Sequence, residues 1–247
     1  MNWINEKERK KLVYLRFDLE DNLSLNDEIR ERYYRMYKGV FYQRYILGEW
    51  VATEGIIYDM FDESRHVIKG EITVDGGDIY VSCDYGIQNA TVFLMWTKYA
   101  DKWFCCKEYY YSGREQLRQK TDTEFAEDME WFLDGMRPKR IVVDPSAASF
   151  IAELRKHGYR VKQGDNAVLD GIRFTSSMLE NNKIIIAEQC ERTIKEFRSY
   201  MWDNKAMMHG DDRPLKEHDH CMDAMRYFTY TIMRQEKVKV KGFKGGI

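Results

Sequence analysis

Three apolar runs in the first half of the chain are separated by short polar stretches, the pattern of consecutive β-strands. The runs are IYVSCD (79–84), TVFLMWT (91–97) and WFCCKEYYY (103–111). The gaps between them have the length and composition of turns. Because neighbouring strands joined by tight turns run in opposite directions, this pattern predicts an antiparallel meander.

Helical and strand-like periods alternate after the meander. Thr121 and Glu124 form a T-x-x-E capping box, and apolar residues then recur four positions apart from Phe125, which predicts a helix. The run RIVVD (140–144) is apolar at consecutive positions, as in a strand buried on both faces, so we expect it in the centre of a sheet.

The same alternation continues to residue 234. It predicts helices near 148–156, 168–180 and 190–201, strands near 159–162 and 183–187, a hairpin at 201–210 and a last helix at 216–234. A meander followed by helix–strand alternation predicts an α/β fold: a mixed β-sheet, with an antiparallel meander plus parallel strands, flanked by helices.

Both ends of the chain differ from this pattern. Residues 1–70 are rich in charged and aromatic residues, with Ile29, Tyr33 and Met36 at helical spacing, and we interpret them as a linker or connector segment. The compact domain is expected over 71–236. The Lys-rich stretch 237–247 is expected to be a flexible tail.

Composition limits the possible functions. A chain of 247 residues with 44% hydrophobic residues can bury a full core, and 39 Lys and Arg nearly balance 41 Asp and Glu. Only a local basic surface could therefore bind a polyanion. Five cysteines without a CxxC pair indicate reduced thiols in a cytosolic protein. No apolar run approaches the ~20 residues of a membrane span, and the charged N-terminus does not resemble a signal peptide.

Three aspartates are candidates for a catalytic site. Asp84 and Asp144 each end an apolar strand, at the edge where functional side chains collect in sheets with crossover helices. Asp223 shares a helix face with His220 in EHDHCMDAMRYF. Carboxylates brought together repel one another, and Mg²⁺ or Mn²⁺ would compensate their charge. The alternative is that each acid only forms a turn, caps a helix or faces solvent.

At these residues the sequence resembles a known family. The segments IYVSCDYGIQNATVF, RIVVDPSAASFIAELRKHGY and DHCMDAMRY resemble, in order, the three acidic motifs of phage terminase large-subunit nucleases. The stretch YQRYILGEWVATEGIIYDMFD is similar to the connector that follows the ATPase domain in that family. The resemblance covers residues 20–235 and implies a ribonuclease-H-like fold. It also implies catalytic roles for Asp84, Asp144, Asp223 and His220, with the three aspartates as metal ligands.

The resemblance implies an activity and partners. Proteins of this family use Mg²⁺ or Mn²⁺, here two ions, to cut concatemeric double-stranded DNA with little sequence specificity during genome packaging. The expected location is the cytoplasm of the infected bacterial host, and the expected partners are a small terminase subunit and a portal protein. We expect the isolated domain to be monomeric. The sequence lacks G-x-x-x-x-G-K-[ST], so no ATPase activity is expected from it.

Other functions remain open at this point. DYGIQNAT also resembles a phosphate-binding turn of actin-like or sugar-kinase-like ATPases, but DPSAAS lacks the glycine of their second phosphate loop. A structure-specific resolvase-like or transposase-like nuclease, or a non-catalytic DNA-binding module, would have the same fold. A zinc site formed by His209, His218 and His220 with Cys221 is disfavoured, because His-x-His-Cys inside a helix does not bring its ligands onto one face.

Basic residues gather around the last hairpin of the meander and the segment that follows it. They are Lys102, Lys107, Arg114, Arg118 and Lys120. Two interpretations are equally favoured: an edge that contacts DNA phosphates, or a solvated edge of the sheet. The tyrosines at 109–111 could stack on bases, but strand packing explains them better.

Overall fold

The computed structural model describes residues 15, 17–37, 42–43, 45–49, 55–70, 72, 74, 76–86, 89–209 and 211–236. The side chains of residues 35, 36 and 207 and the tail expected at 237–247 lie outside these described parts. The chain divides into two compact units, Met1–Thr53 and Glu54–Ile247.

The first unit contains helix α1 (Asp27–Met36), where a helix was expected from apolar spacing. The side chain of Asn26 caps it by accepting a hydrogen bond from the Ile29 backbone N–H at 2.9 Å. The backbone N–H of Leu19 donates to the carbonyl of Ile46, a residue only 2% exposed. These contacts fold the segment back on itself.

The second unit is built on one seven-stranded sheet within the described residues. Its strands are β1 (Val67–Ile68), β2 (Ile79–Asp84), β3 (Ala90–Tyr99), β4 (Lys102–Ser112), β5 (Arg140–Val143), β6 (Val161–Gln163) and β7 (Ile184–Ala187). They lie in the order β1-β7-β4-β3-β2-β5-β6. The pairs β2–β3 and β3–β4 are antiparallel, and the other pairs are parallel. The predicted mixed sheet with an antiparallel meander is confirmed.

Helices cover both faces of this sheet. They are α2 (Glu63–His66), α3 (Asp122–Leu133), α4 (Ala148–Lys156), α5 (Val168–Glu180), α6 (Glu191–Ser199), α7 (Asn204–Met208) and α8 (His220–Phe228), which continues as a π-helical turn over Thr229–Met233. The capping box predicted at the start of α3 is present. Among the helices of the described ranges, none is long and apolar enough to cross a membrane.

Strand alternation divides the core into two layers. Val81 and Cys83 of β2 pack with α3 and α4 in a cluster that includes Phe125 and Phe150. The alternate residues of β2, Ser82 and Asp84, therefore point to the opposite face. That face is covered by α8.

Aromatic packing fixes α8 on the sheet. The ring of Phe228 stacks on Trp96 of β3 with 4.4 Å between centroids, and it meets Trp103 of β4 edge-on at 5.0 Å. The indole N–H of Trp96 donates to the hydroxyl of Ser82 at 2.9 Å, so its polar group is satisfied in the core. The residues that precede Phe228 on α8 are thereby held over the carboxyl end of β2.

Three local predictions are wrong or imprecise. The segment expected as a hairpin at 201–210 contains α7, because the Asp203 carboxylate accepts from the N–H groups of Lys205 and Ala206 and starts a helical turn. The last helix begins at His220 instead of residue 216. Strand β5 is internal, as expected, but only β6 separates it from the sheet edge.

The boundary between the two compact units, Met1–Thr53 and Glu54–Ile247, falls before the expected boundary at residue 70. Residues 67–68 form β1, which pairs in parallel with β7, so this stretch belongs to the sheet.

Candidate active site

The ends of β2 and β5 bring two of the candidate acids together. Cys83 pairs with Val143 in the parallel register, and the Asp144 N–H donates to the Cys83 carbonyl at 3.1 Å. Asp84 and Asp144 thus lie at the ends of adjacent strands. The Asp144 carboxylate also accepts from the Ser146 N–H at 2.8 Å, which turns the chain towards α4.

Helix α8 adds the other two candidates. The His220 ring nitrogen Nδ1 lies 2.9 Å from Asp84 Oδ2. Asp223, one turn further along α8, is 7% exposed and Asp84 is 8% exposed. Asp84, Asp144, His220 and Asp223 all line one cavity of about 780 Å³. The structure therefore gathers the four predicted site residues, which come from three separate elements.

Burial and charge shift the acid–base properties of the Asp84–His220 pair. Burial raises the pKa of Asp84 to about 6; the hydrogen bond from His220 acts in the opposite direction, and the negative charges of Asp223 and Asp144 act in the same direction. Burial opposes protonation of His220, but the hydrogen bond and charge of Asp84 outweigh it and raise the pKa of His220. The pair can hold a proton near neutral pH.

Two basic side chains compensate Asp223. The guanidinium of Arg226 donates from Nε and Nη2 to Asp223 Oδ1, at 3.2 and 3.0 Å. The ammonium of Lys216 lies 2.9 Å from Asp223 Oδ2 and 3.0 Å from Asp219 Oδ2. Both cations line the cavity with the acids. Since the side chain of Arg226 is 1% exposed, this pair is a buried charge pair that depends on close geometry.

Glu196 of α6 supports the start of α8. Its Oε2 accepts from the N–H groups of Cys221 and Met222, at 2.7 and 3.3 Å. Among the described residues the N-cap residue of α8, Asp219, makes no side-chain capping bond of its own. Burial raises the pKa of Glu196 to about 7, although these N–H donors act in the opposite direction. A side chain from a neighbouring helix therefore caps the helix that carries His220 and Asp223.

The five basic candidates for DNA contact do not share one surface. Arg114 lines the cavity. Lys107 donates to the Phe132 carbonyl at 2.7 Å, and Lys120 and Arg118 form ion pairs with Asp128 and Glu124 of α3. Lys102 begins β4, whereas Ser112, at the other end of that strand, lines the cavity.

The donor chemistry of the cavity suits a hard divalent cation. Carboxylate oxygens are the ligands that Mg²⁺ and Mn²⁺ prefer, and Asp84, Asp144 and Asp223 supply them. Within the described ranges, however, no three His, Cys, Asp or Glu side chains are already arranged to hold an ion. Asp84 is bonded to His220 and Asp223 to Arg226 and Lys216. At Asp223, an incoming ion would compete with Lys216 and Arg226 for the carboxylate oxygens.

The sequence analysis did not identify four residues of this site: Lys216, Asp219, Arg226 and Glu196. Arg226 follows Asp223 by three positions, a spacing that places side chains on one helix face and could have indicated the pair. Lys216 was placed inside the predicted last helix, which hid its position beside the cavity. Glu196 lies 25 positions before Cys221, and no local pattern links the two.

Comparisons with known proteins come from sequence and structure. Residues 84–229 match a family model described as "Terminase RNAseH like domain". The chain is 29% identical over 223 residues to the large terminase subunit of Escherichia phage T5, an alignment that covers 85% of this chain and 49% of that protein. The chain therefore spans about half the length of this curated relative.

Solved structures are similar as well. The large terminase of the thermophilic bacteriophage D6E is 48% identical with a TM-score of 0.81, over 93% of this chain and 58% of that chain. The large terminase nuclease of the thermophilic phage G20c, solved with bound magnesium, is 11% identical with a TM-score of 0.56, over 74% of this chain and 99% of that chain. Together with the sheet topology, these similarities confirm the predicted ribonuclease-H-like fold.

Proposed function

The chain belongs to the terminase RNase H-like domain family, and from that premise we propose that it is a metal-dependent endonuclease that cleaves double-stranded DNA during phage genome packaging. One observation carries the proposal: Asp84, Asp144, Asp223 and His220 line a single cavity. A fold that only bound DNA would not need to collect buried like charges, which repel one another.

Asp84, Asp144 and Asp223 would hold the metal. The G20c nuclease, which shares the fold, is solved with magnesium, and the three carboxylates here are the hard oxygen donors that Mg²⁺ and Mn²⁺ prefer. Two bound ions would supply positive charge to both the attacking and the leaving oxygen of a phosphodiester. The chain's own contribution is to fix the three carboxylates at two strand ends and on one helix.

His220 would handle a proton during hydrolysis. Its Nδ1 faces Asp84 Oδ2 at 2.9 Å, which orients the ring and leaves Nε2 as the nitrogen that could meet substrate or water. With its pKa raised by Asp84, the imidazole retains a proton nearer to neutral pH. It can therefore orient a water molecule or protonate the leaving 3′-oxygen.

The substrate and partners follow from the family. Concatemeric double-stranded DNA in the cytoplasm of the infected bacterial host is the proposed substrate, cut with little sequence preference because phosphate contacts carry no base information. A small terminase subunit and a portal protein are the proposed partners of the intact assembly.

Plasmid cleavage tests the proposal. We expect Mn²⁺ or Mg²⁺ to be required, and Asp84→Asn and Asp223→Asn to lower the rate by at least about 100-fold, because each loses a charged ligand. Asp101→Asn is the matched control: Asp101 lies in the β3–β4 turn, exposed and paired with Lys183. Cleavage at the parental rate by the Asp84 and Asp223 variants, each shown to be folded by circular dichroism, would contradict the assignment.

A further inference from the structure

Lys216 reaches the acidic cavity from outside. Its ammonium lies 2.9 Å from Asp223 and 3.0 Å from Asp219, yet its side chain is 65% exposed. Residues 216–219 form no helix or strand, and His218 among them has a positive φ of 52°. The lysine therefore approaches the acids along an irregular segment, with most of its length in solvent.

Arg226, the other cation on Asp223, is held very differently. Its side chain is 1% exposed, and its Cγ packs so closely on Gly171 of α5 that a Cβ there would lie 2.6 Å away. Moving Arg226 would disturb the packing of α8 on α5. Moving the tip of Lys216 into water would disturb no packed core, since its stem is already hydrated.

The positive charges of Arg226 and Lys216 balance part of the negative charge of the cavity, but the two side chains have separate roles. Four aspartates line the cavity: Asp84, Asp144, Asp219 and Asp223. Among the described residues, the lysine and arginine side chains in contact with them are Lys216 and Arg226. A divalent ion that entered while Lys216 stayed on Asp223 would be repelled at close range and would lack one carboxylate oxygen.

We infer that the ammonium group of Lys216 neutralises the acidic cavity when no metal is bound. A divalent metal ion must displace this ammonium group from Asp223 in order to bind. This inference rests on the proposed metal-dependent function. Lys216 stabilises the acids when no ion is bound and competes with the ion when one arrives. Arg226 stays in place and keeps Asp223 oriented throughout.

Manganese titration of the full 247-residue chain tests the inference without measuring cleavage. The dissociation constant of Mn²⁺ would be measured by calorimetry and by the electron paramagnetic resonance of free Mn²⁺. Lys216→Met removes the competing charge at similar length, and we expect it to bind Mn²⁺ about tenfold more tightly. Lys216→Arg retains the charge and should bind like the parent. Lys205→Met is the matched control, because Lys205 is an exposed residue of α7 outside the cavity lining, and this variant should also bind like the parent.

The outcomes separate the two proposals. Tighter Mn²⁺ binding by Lys216→Met, with Lys216→Arg and Lys205→Met unchanged, supports a displaceable lysine. Parental affinity in Lys216→Met would overturn the inference, and so would weaker binding, which would show instead that the lysine helps to organise the ligands. If neither the parent nor Lys216→Met binds Mn²⁺, the metal-dependent function itself fails, and the inference fails with it.

Discussion

At the scale of single residues, a glycine beside the cavity is as important to its geometry as the charged residues. Gly171 lies in the first half of α5, where an alanine Cβ would come within 2.6 Å of Arg226 Cγ and 2.9 Å of its Cδ. Because glycine has only a hydrogen atom in place of a side chain, there is room for Arg226 to pass Gly171 and donate two N–H groups to Asp223. The position of the charge pair thus depends on a helix to which neither residue belongs.

Gly171→Ala should therefore destabilise the protein. In an isolated helix this change would stabilise by about 1 kcal/mol, because glycine has the poorer helix propensity. Here the clash with Arg226 forces side-chain and helix shifts, and we expect the free energy of unfolding to fall by about 1–3 kcal/mol. Equilibrium unfolding in urea would measure it. An increase in stability would show that Arg226 relaxes freely and that the close approach is unimportant.

The candidate acids could be predicted from sequence because each belongs to a local pattern. Asp84 and Asp144 follow apolar strand runs, and Asp223 and His220 share a helix face. Their compensating groups were harder to find. Lys216 reaches Asp223 from an irregular segment, and Glu196 caps a helix from 25 positions away, so only the tertiary structure brings these charges to the acids.

At the scale of elements, two helices near the cavity are capped by glutamates from other elements. Glu108 of β4 accepts from the N–H groups of Arg192 and Thr193 at the start of α6. Glu196 of α6 in turn accepts at the start of α8. Each carboxylate satisfies N–H groups that a helix leaves unpaired in its first turn. The beginning of α8 at residue 220 is fixed by such a contact, which explains why local patterns placed it too early.

Glu196 should give the stability of the protein a pH dependence. Its pKa is about 7 in the folded protein, against 4.5 for an unperturbed glutamate side chain. A raised folded pKa contributes stability that is present below about pH 4.5 and lost as the pH rises through 7. Between pH 5 and pH 8 we expect the parent to lose roughly 2 kcal/mol relative to Glu196→Gln, whose side chain does not titrate. Chemical unfolding at both pH values would measure this difference.

Glu191→Gln is the matched control, because Glu191 is an exposed residue in the first turn of the same helix. The stability of the Glu191→Gln variant relative to the parent should change little between pH 5 and pH 8. Equal pH dependence in the two variants would mean that buried Glu196 does not titrate in this range.

At the scale of the whole molecule, the sheet determines which surfaces can act together. The meander and the alternating second half were predictable because strand and helix periods differ clearly, and short turns leave neighbouring strands few ways to pair. The order β1-β7-β4-β3-β2-β5-β6 could not be predicted, since the pairing of β4 with β7 joins segments about 80 residues apart. Basic residues that are close together in the sequence are spread along β4 and the segment that follows it, because an extended strand separates its residues widely.

The positions of Arg114 and Lys102 therefore predict different effects of their substitution on DNA binding. Arg114 lines the cavity, whereas Lys102 begins β4 about 30 Å from the cavity end of that strand, given a rise of ~3.3 Å per residue. With a fluorescent duplex and no divalent ion, we expect Arg114→Ala to weaken binding and to reduce the slope of log K against log salt by about 1, as expected for one lost phosphate contact. Lys102→Ala should bind like the parent at every salt concentration. Equal losses in both variants would mean that DNA follows the whole length of β4 and does not enter at the acidic cavity alone.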